Sequence, residues 1–392
     1  MKKQVDNNQM TLYLEGRIDS NNASSWEQEI MEAVGSAPGA ELTLDAQELE
    51  YISSAGLRVL MKLRKQYAKS LTVLNVSPEV YDIFEVTGFT QLLDVKKRLR
   101  ELSVEGCEVV GEGATSVVYR LDADTIVKVF RPGVRLGMIV DESSKARNAF
   151  VAGIPTAIAF DLVKVGDSYG TVYEMLNAKE LIRVMVEDKA HLADHVRQFA
   201  NLLKEMHKRE VDPKDFAPMK ATSIGVLSYL EGPVTTPEET EKFRKIYENI
   251  PDRNTFIHGD CHPGNVMVQD GEMMLIDLSN GGSGHPIFDL VSMYLTYCVN
   301  PMDPQKRTGS IMLKDFTDEE IALIWKVFLG TYLGTEDEAL FRKAQEQIEG
   351  FACTRVLMAV PFIPGLLSEQ AIAYYKQKAL AYFDKGLEEI CF

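Results

Sequence analysis

The first hundred residues alternate two hydrophobic periods. Thr11 to Leu14 alternates as a strand does and exits through Gly16-Arg17-Ile18-Asp19. Asn21 or Asn22 then caps a predicted helix running through Val34, with Trp26, Ile30, Ala33 and Val34 on one face. Pro38-Gly39 breaks the chain, Glu41 to Asp45 alternates again, and a helix is expected from about Ser54, with Leu57, Leu60 and Met61 at helical spacing. The Ser54 hydroxyl suits an N-cap. Leu71 to Val76 reads as a strand, Ser77-Pro78 as a helix start and Gly88 as a stop. Alternating strands and helices predict an α/β domain. The charged stretch Lys96 to Leu102 favours a helix and reads as a short, stiff connector.

The pattern then changes. Val109 to Arg120 reads as strand, tight turn, strand, with Gly111 and Gly113 at the turn, where backbone N–H groups can face an anion. Thr125 to Phe130 is an apolar strand carrying one cation, Lys128. Ile139 to Phe150 is a predicted helix with Glu142 on the same face as Ala146, Ala149 and Phe150, and a carboxylate on an apolar face needs a cation, for which Lys128 is the natural partner. His191 to Arg209 is strongly amphipathic through Val196, Phe199, Leu203 and Met206, and His207 reads as a packing residue rather than a ligand. Helices are expected over Asp318–Leu329, Glu336–Met358 and Ser368–Ile390.

The chemistry concentrates in His258-Gly259-Asp260-Cys261-His262-Pro263-Gly264-Asn265, followed by Leu275-Ile276-Asp277. One acid can take the proton of an attacking hydroxyl. The Asn265 carboxamide and the Asp277 carboxylate are hard oxygen ligands of the kind that holds Mg²⁺ against nucleotide phosphates.

Composition narrows the class. The 392 residues are too many for one typical domain. A net charge of −16 speaks against nucleic acid and anionic lipid as partners. Five scattered cysteines without metal spacing suggest reduced thiols and a cytoplasmic protein. No membrane span is expected: the longest apolar stretch, Val356 to Leu367, is short and holds Pro361 and Pro364.

The pattern H-G-D-x-H-x-x-N followed by I-D resembles the aminoglycoside phosphotransferase and choline kinase branch of the protein-kinase-like superfamily. The resemblance implies an α+β bilobal fold, with a β-rich small lobe over 103–176 and a helical large lobe over 177–392. It implies Asp260 as catalytic base, Asn265 and Asp277 as metal ligands, and Lys128, oriented by Glu142, as phosphate-binding lysine. Gly111, Gly113 and Ser116 would line the phosphates, with Ser116 where protein kinases usually carry a third glycine. Backbone groups near Glu174 and Leu176 would meet the adenine edge. His258 and His262 would shape the loop, and Asp289 would cap the next helix and brace the loop. Only eleven residues separate Asp277 from Asp289, and His262 stands where protein kinases usually place a lysine, so the small-molecule branch is favoured.

The chain from about residue 8 to 100 resembles the STAS domain of bacterial anti-sigma-factor antagonists, through Leu14 to Asp19, Ile52 to Arg58, Asn75 to Pro78 and Thr87 to Phe89, which implies a STAS domain over 1–102. In that family a serine before the helix is phosphorylated by a partner kinase, which makes Ser54 or Ser53 the candidate phosphosite and the STAS domain a surface for a protein partner. The sequence departs from the common motif: no Asp precedes the serines, and Ala55 stands directly before Gly56. The expected activity is transfer from Mg-ATP to a hydroxyl of an unidentified small molecule. The rivals are a protein kinase acting on the STAS serine and a nucleotide-binding signalling scaffold.

Overall fold

A computed structural model describes residues 2–6, 9–36, 41–66, 71–113, 115–384 and 390–392. The expected break at Pro38-Gly39 lies outside the described residues. The chain divides into two compact units, Met1–Leu102 and Ser103–Phe392.

The first unit is built of β1 (Lys2–Asp6), β2 (Gln9–Ile18), α1 (Ala23–Gly35), β3 (Glu41–Ile52), α2 (Ser54–Gln66), β4 (Thr72–Val76), α3 (Pro78–Val86) and β5 (Asp94–Lys97). Its sheet runs β1-β2-β3-β4-β5, with β1 antiparallel to β2 and the remaining pairs parallel. Met10, Leu12 and Leu14 of β2 and Leu42 and Leu44 of β3 point inward and are almost fully buried. The third strand runs past the expected Asp45 to Ile52, because Ala46, Leu49 and Ile52 keep filling the core. The first strand carries no hydrophobic alternation, since its Lys2, Lys3 and Gln4 lie on an exposed sheet edge.

The connector corrects the helix expected over Lys96 to Leu102. Asp94–Lys97 is a strand, and Arg100–Glu101 is a two-residue strand, β6. Helix propensity is a weak prior beside a sheet edge: Val95 pairs with Val73 of β4, and the Lys97 ammonium sits 5.3 Å over the Tyr81 ring.

The second unit begins with β7 (Glu108–Glu112), β8 (Ser116–Arg120), β9 (Thr125–Phe130), α4 (Leu136–Val151), β10 (Ala159–Val165) and β11 (Ser168–Glu174). These strands pair antiparallel in the order β10-β11-β9-β8-β7. Then follow β12 (Lys179–Glu180), α5 (Leu181–Glu187), α6 (Leu192–Met206), α7 (Met219–Leu227), α8 (Pro237–Glu248), β13 (Phe256–Ile257), β14 (Val266–Gln269), β15 (Glu272–Leu275) and β16 (Gly282–Ser283). The last helices are α9 (Ile287–Tyr294), α10 (Pro304–Gly309), α11 (Asp318–Leu333), α12 (Glu338–Ala359) and α13 (Glu369–Phe383). The fold is thus an α/β unit followed by an α+β unit, β-rich first and helical after, as the two resemblances imply. Buried Phe199 of α6 meets Phe328 of α11 with ring centroids 5.6 Å apart, and α12 adds Ile348, Ala352 and Leu357 to the same core. That core is the platform under the loop that carries Asp260.

Candidate active site

Short strands fix both ends of the segment from His258 to Asn265. The strand β13 ends at Ile257, directly before His258; β14 begins at Val266, directly after Asn265, and pairs with β15, which delivers Asp277. Between them the backbone takes conformations that few residues tolerate. Gly259 has φ +80°, and a Cβ there would lie 2.2 Å from the Asn280 carbonyl oxygen. Asp277 is left-handed without being glycine, at φ +58°.

Asp289 organises the loop. Its side chain is fully buried; Oδ2 accepts from the His258 N–H at 2.8 Å and pairs with His207 Nε2 at 3.0 Å, while Oδ1 accepts from the Gly259 N–H at 2.7 Å. Burial alone would push this carboxyl up, but the His207 contact and the neighbouring donors leave it below the ordinary carboxylate range. Asp289 is not the N-cap expected from the sequence. It sits in the first turn of α9 behind Pro286, and its carboxylate serves the loop instead of the helix end. His207 packs as expected, its Nδ1 2.8 Å from the Tyr332 hydroxyl.

His258 donates from Nε2 to the Ile276 carbonyl at 3.0 Å and accepts the Asp260 N–H on Nδ1 at 3.3 Å, which sets its tautomer. His262 accepts the Gly264 N–H on Nδ1 at 3.2 Å, and its Nε2 stands 3.9 Å from Asp260 Oδ2. Burial holds His262 below the ordinary imidazole range against the pull of Asp260. The Asp260 side chain remains about half exposed. Asn265 donates its Nδ2 to the Asp260 carbonyl at 2.9 Å, so its amide oxygen faces the other way. Burial pushes the Cys261 thiol well up, which makes it an inert packing group.

Lys128 Nζ lies 2.6 Å from Glu142 Oε1 and 3.4 Å from Asp277 Oδ1. Burial disfavours its charge, but the two carboxylates outweigh that and raise the ammonium above the ordinary lysine range. Burial also pushes Glu142 up while Lys128 pulls it down; at this separation we read the two as an ion pair. For Asp277, burial is outweighed by Lys128 and by the Ser279 hydroxyl, which donates at 3.0 Å, so it sits below the ordinary carboxylate range. Two contacts carry no sequence signal: Lys145 of α4 donates to the Ser279 carbonyl at 2.9 Å, and Arg355 of α12 donates to the Gly259 carbonyl at 2.7 Å.

Gly111 lies within β7 and Gly113 directly after it. Neither Gly111 nor Gly113 has a left-handed φ, and a Cβ would meet only ordinary contacts at 3.6 Å and 3.8 Å. The local backbone does not require either glycine. Ser116 is buried at the start of β8. Glu174 closes β11, its N–H given to the Ile158 carbonyl at 2.9 Å, and half-buried Leu176 follows. In the first unit, Ser53 rather than Ser54 is the cap. Its hydroxyl accepts from the N–H groups of Ala55 at 3.2 Å and Gly56 at 3.4 Å, which leaves Ser54 exposed as the first helical residue.

A lysine bound to a buried helical glutamate, facing a carboxylate loop beside a separate half-exposed acid, defines the kinase-like phosphotransferase class. A family model described as "Phosphotransferase enzyme family" matches residues 106–313, and this chain belongs to that family, whose members are kinases acting on a hydroxyl acceptor. A second model, "Mlab, STAS domain", matches residues 1–94. A Bordetella bronchiseptica protein named as an anti-sigma factor antagonist, BtrV, is 35% identical over 85 residues, 21% of this chain and 72% of that protein. The anti-sigma-B factor antagonist of Listeria monocytogenes is 27% identical over 97 residues, 24% of this chain and 84% of that one. Among solved structures, ADP-bound aminoglycoside phosphotransferase APH(2'')-Ib has a TM-score of 0.47 at 16% identity, with 77% of this chain and 98% of that one covered. A choline/ethanolamine kinase family protein from Mesorhizobium loti gives 0.43 at 15%, with 71% and 86% covered. No helix among the described residues is long and apolar enough to cross a membrane.

Proposed function

We propose that the chain transfers the γ-phosphoryl group of Mg-ATP to a hydroxyl of a small molecule, with the STAS unit as its regulatory, partner-binding module. The observation that carries this reading is the contact of Lys128 with both Glu142 and Asp277, 2.6 Å and 3.4 Å away. It brings a phosphate-binding cation and a metal-binding carboxylate together. Glu142 aims Lys128 at the phosphates. Asp260 orients the acceptor hydroxyl and takes its proton. Asn265 Oδ1 and the Asp277 carboxylate fit Mg²⁺, a hard cation that needs only one or two protein oxygens beside phosphates and water. Bound there, the metal would neutralise the charge that develops on the phosphoryl oxygens. The chain's own part is placement and electrostatics. Gly111, Gly113 and Ser116 leave room for phosphates to approach, and the segment Glu174 to Leu176 offers backbone to a base. A cytoplasmic location belongs to this reading and rests on the scattered cysteines.

One observation favours a second acceptor. Ser54 is exposed at a helix N-terminus while the Ser53 hydroxyl holds the N–H groups of Ala55 and Gly56, so a phosphate on Ser54 would sit at the positive end of the helix dipole. Incubation with Mg²⁺ and γ-labelled ATP, with and without pooled hydroxyl acceptors and beside Asp260→Asn, separates the readings. Label in a soluble acceptor, lost in the variant, supports the first. Label on Ser54 alone supports the second. Nucleotide binding without transfer defeats both.

A further inference from the structure

The backbone around Asp260 is held by side chains. The Gly259 N–H donates to Asp289 Oδ1 at 2.7 Å, the Asp260 N–H to His258 Nδ1 at 3.3 Å, and the Asp260 carbonyl accepts from Asn265 Nδ2 at 2.9 Å. The remaining group, the Gly259 carbonyl, accepts from Arg355 Nη2 at 2.7 Å, with the Ser292 hydroxyl a longer second donor at 3.4 Å. Asp289, His258 and Asn265 belong to the loop or to the helix that follows it. Arg355 comes from α12, 96 residues further on, beyond the 106–313 segment that the family model matches.

We propose that Arg355 is a positioning residue for phosphoryl transfer, fixing the Gly259–Asp260 peptide plane and with it the direction of the Asp260 carboxylate. The inference rests on the reading of Asp260 as the base. A peptide unit is planar and stiff, so gripping its C=O and its N–H from opposite sides fixes its orientation. The grip falls where slack would be greatest, because Gly259 sits at φ +80° with no side chain to anchor it. The helix that presents Arg355 is itself rigidly packed: Phe351 meets Tyr247 at 5.3 Å, and Thr354 and Leu357 are fully buried. Nor is Arg355 explained as half of an ion pair. Among the described residues no carboxylate lies within 4.0 Å of its guanidinium, and its hydrogen bond goes to the loop carbonyl.

The test uses the full chain with Arg355→Met, Arg355→Lys and Asp260→Asn, and Mg-ATP with water as the acceptor, so that each turnover yields ADP and inorganic phosphate. Rates are read against ATP concentration, and deuterium uptake is read on the peptide spanning 258–265. Arg355→Met is expected to lower kcat about 10- to 100-fold, as a displacement of an ångström or less at a reacting group does, with half-saturating ATP changed less than about two-fold. Arg355→Lys, which keeps one charged donor, recovers part of that loss. The loop peptide exchanges faster in the Met variant, and that readout stands even if the wild type is a poor ATPase. Wild-type turnover or unchanged exchange in Arg355→Met, beside an inactive Asp260→Asn, overturns the role of Arg355 and leaves the base in place. Full activity in Asp260→Asn removes the base assignment itself.

Discussion

Asp289→Asn tests the loop brace directly, because the substitution keeps shape and removes charge. The carboxylate accepts three hydrogen bonds with no solvent exposure. An amide has one oxygen, and its best orientation keeps that oxygen toward His258 and His207. The NH₂ then faces the Gly259 N–H, donor against donor. A hydrogen bond to a buried charged acceptor contributes about 1.5–3 kcal/mol, and an orphaned buried N–H costs about 1–3 kcal/mol more. The variant should therefore lose about 3–5 kcal/mol. In a unit of this size that lowers Tm by about 5–8 °C. Trp325 lies in this unit and Trp26 in the other, so fluorescence melting in a Trp26→Phe background reports the right transition. Phosphoryl transfer should fall more than ATP affinity, since Lys128, Glu142 and Asp277 are not touched. A melting point within about 2 °C of wild type with unaltered turnover would refute the brace.

Gly259→Ala should abolish transfer and destabilise the second unit, because its Cβ would stand 2.2 Å from the backbone oxygen of Asn280; near-normal circular dichroism melting and activity would contradict this. Gly56→Ala should cost the first unit about 1–3 kcal/mol by overpacking, since its Cβ would lie 2.7 Å and 2.8 Å from the Ile52 and Ile18 side chains; urea unfolding followed by Trp26 measures it. His285 gives a pH dependence: burial, with Arg253 adding to it, holds the folded imidazole at about 3. An unfolded histidine titrates near about 6.5, so in between only the unfolded chain takes up the proton. Stability is complete above that upper value and falls with pH by up to about 1.4 kcal/mol per unit. His285→Gln should flatten the urea stability profile between about pH 6.5 and 4.5, and an unchanged slope would assign the acid sensitivity elsewhere.

What could be read in advance follows from how local each signal is. The amphipathic helix through Phe199 and Leu203 and the strand through Leu12 and Leu14 announce themselves by period alone. The Lys128–Glu142 pair was legible because a carboxylate on an apolar helix face demands a cation, and the chain offers one on a neighbouring apolar strand. The connector misled because Lys, Arg, Glu and Leu favour a helix, while the decisive interaction, Val95 beside Val73, is made by a strand more than twenty residues earlier. The edge strand at Lys2–Asp6 was silent because an edge buries too little to need apolar residues. Asp289 shows the limit inside the site. Its place near a helix start suggested a cap, yet two loop N–H groups and His207 claim its oxygens. Arg355 lies past that limit. An arginine on a helix reads as solvated charge, and nothing within four residues marks it. Its partner is a single loop carbonyl, next to His258 bonded to Ile276 and at the positive φ of Gly259. Motif residues near the reaction are visible because chemistry dictates their type. The residues that aim them bond to backbone groups, which every residue carries, and so only the fold can reveal them.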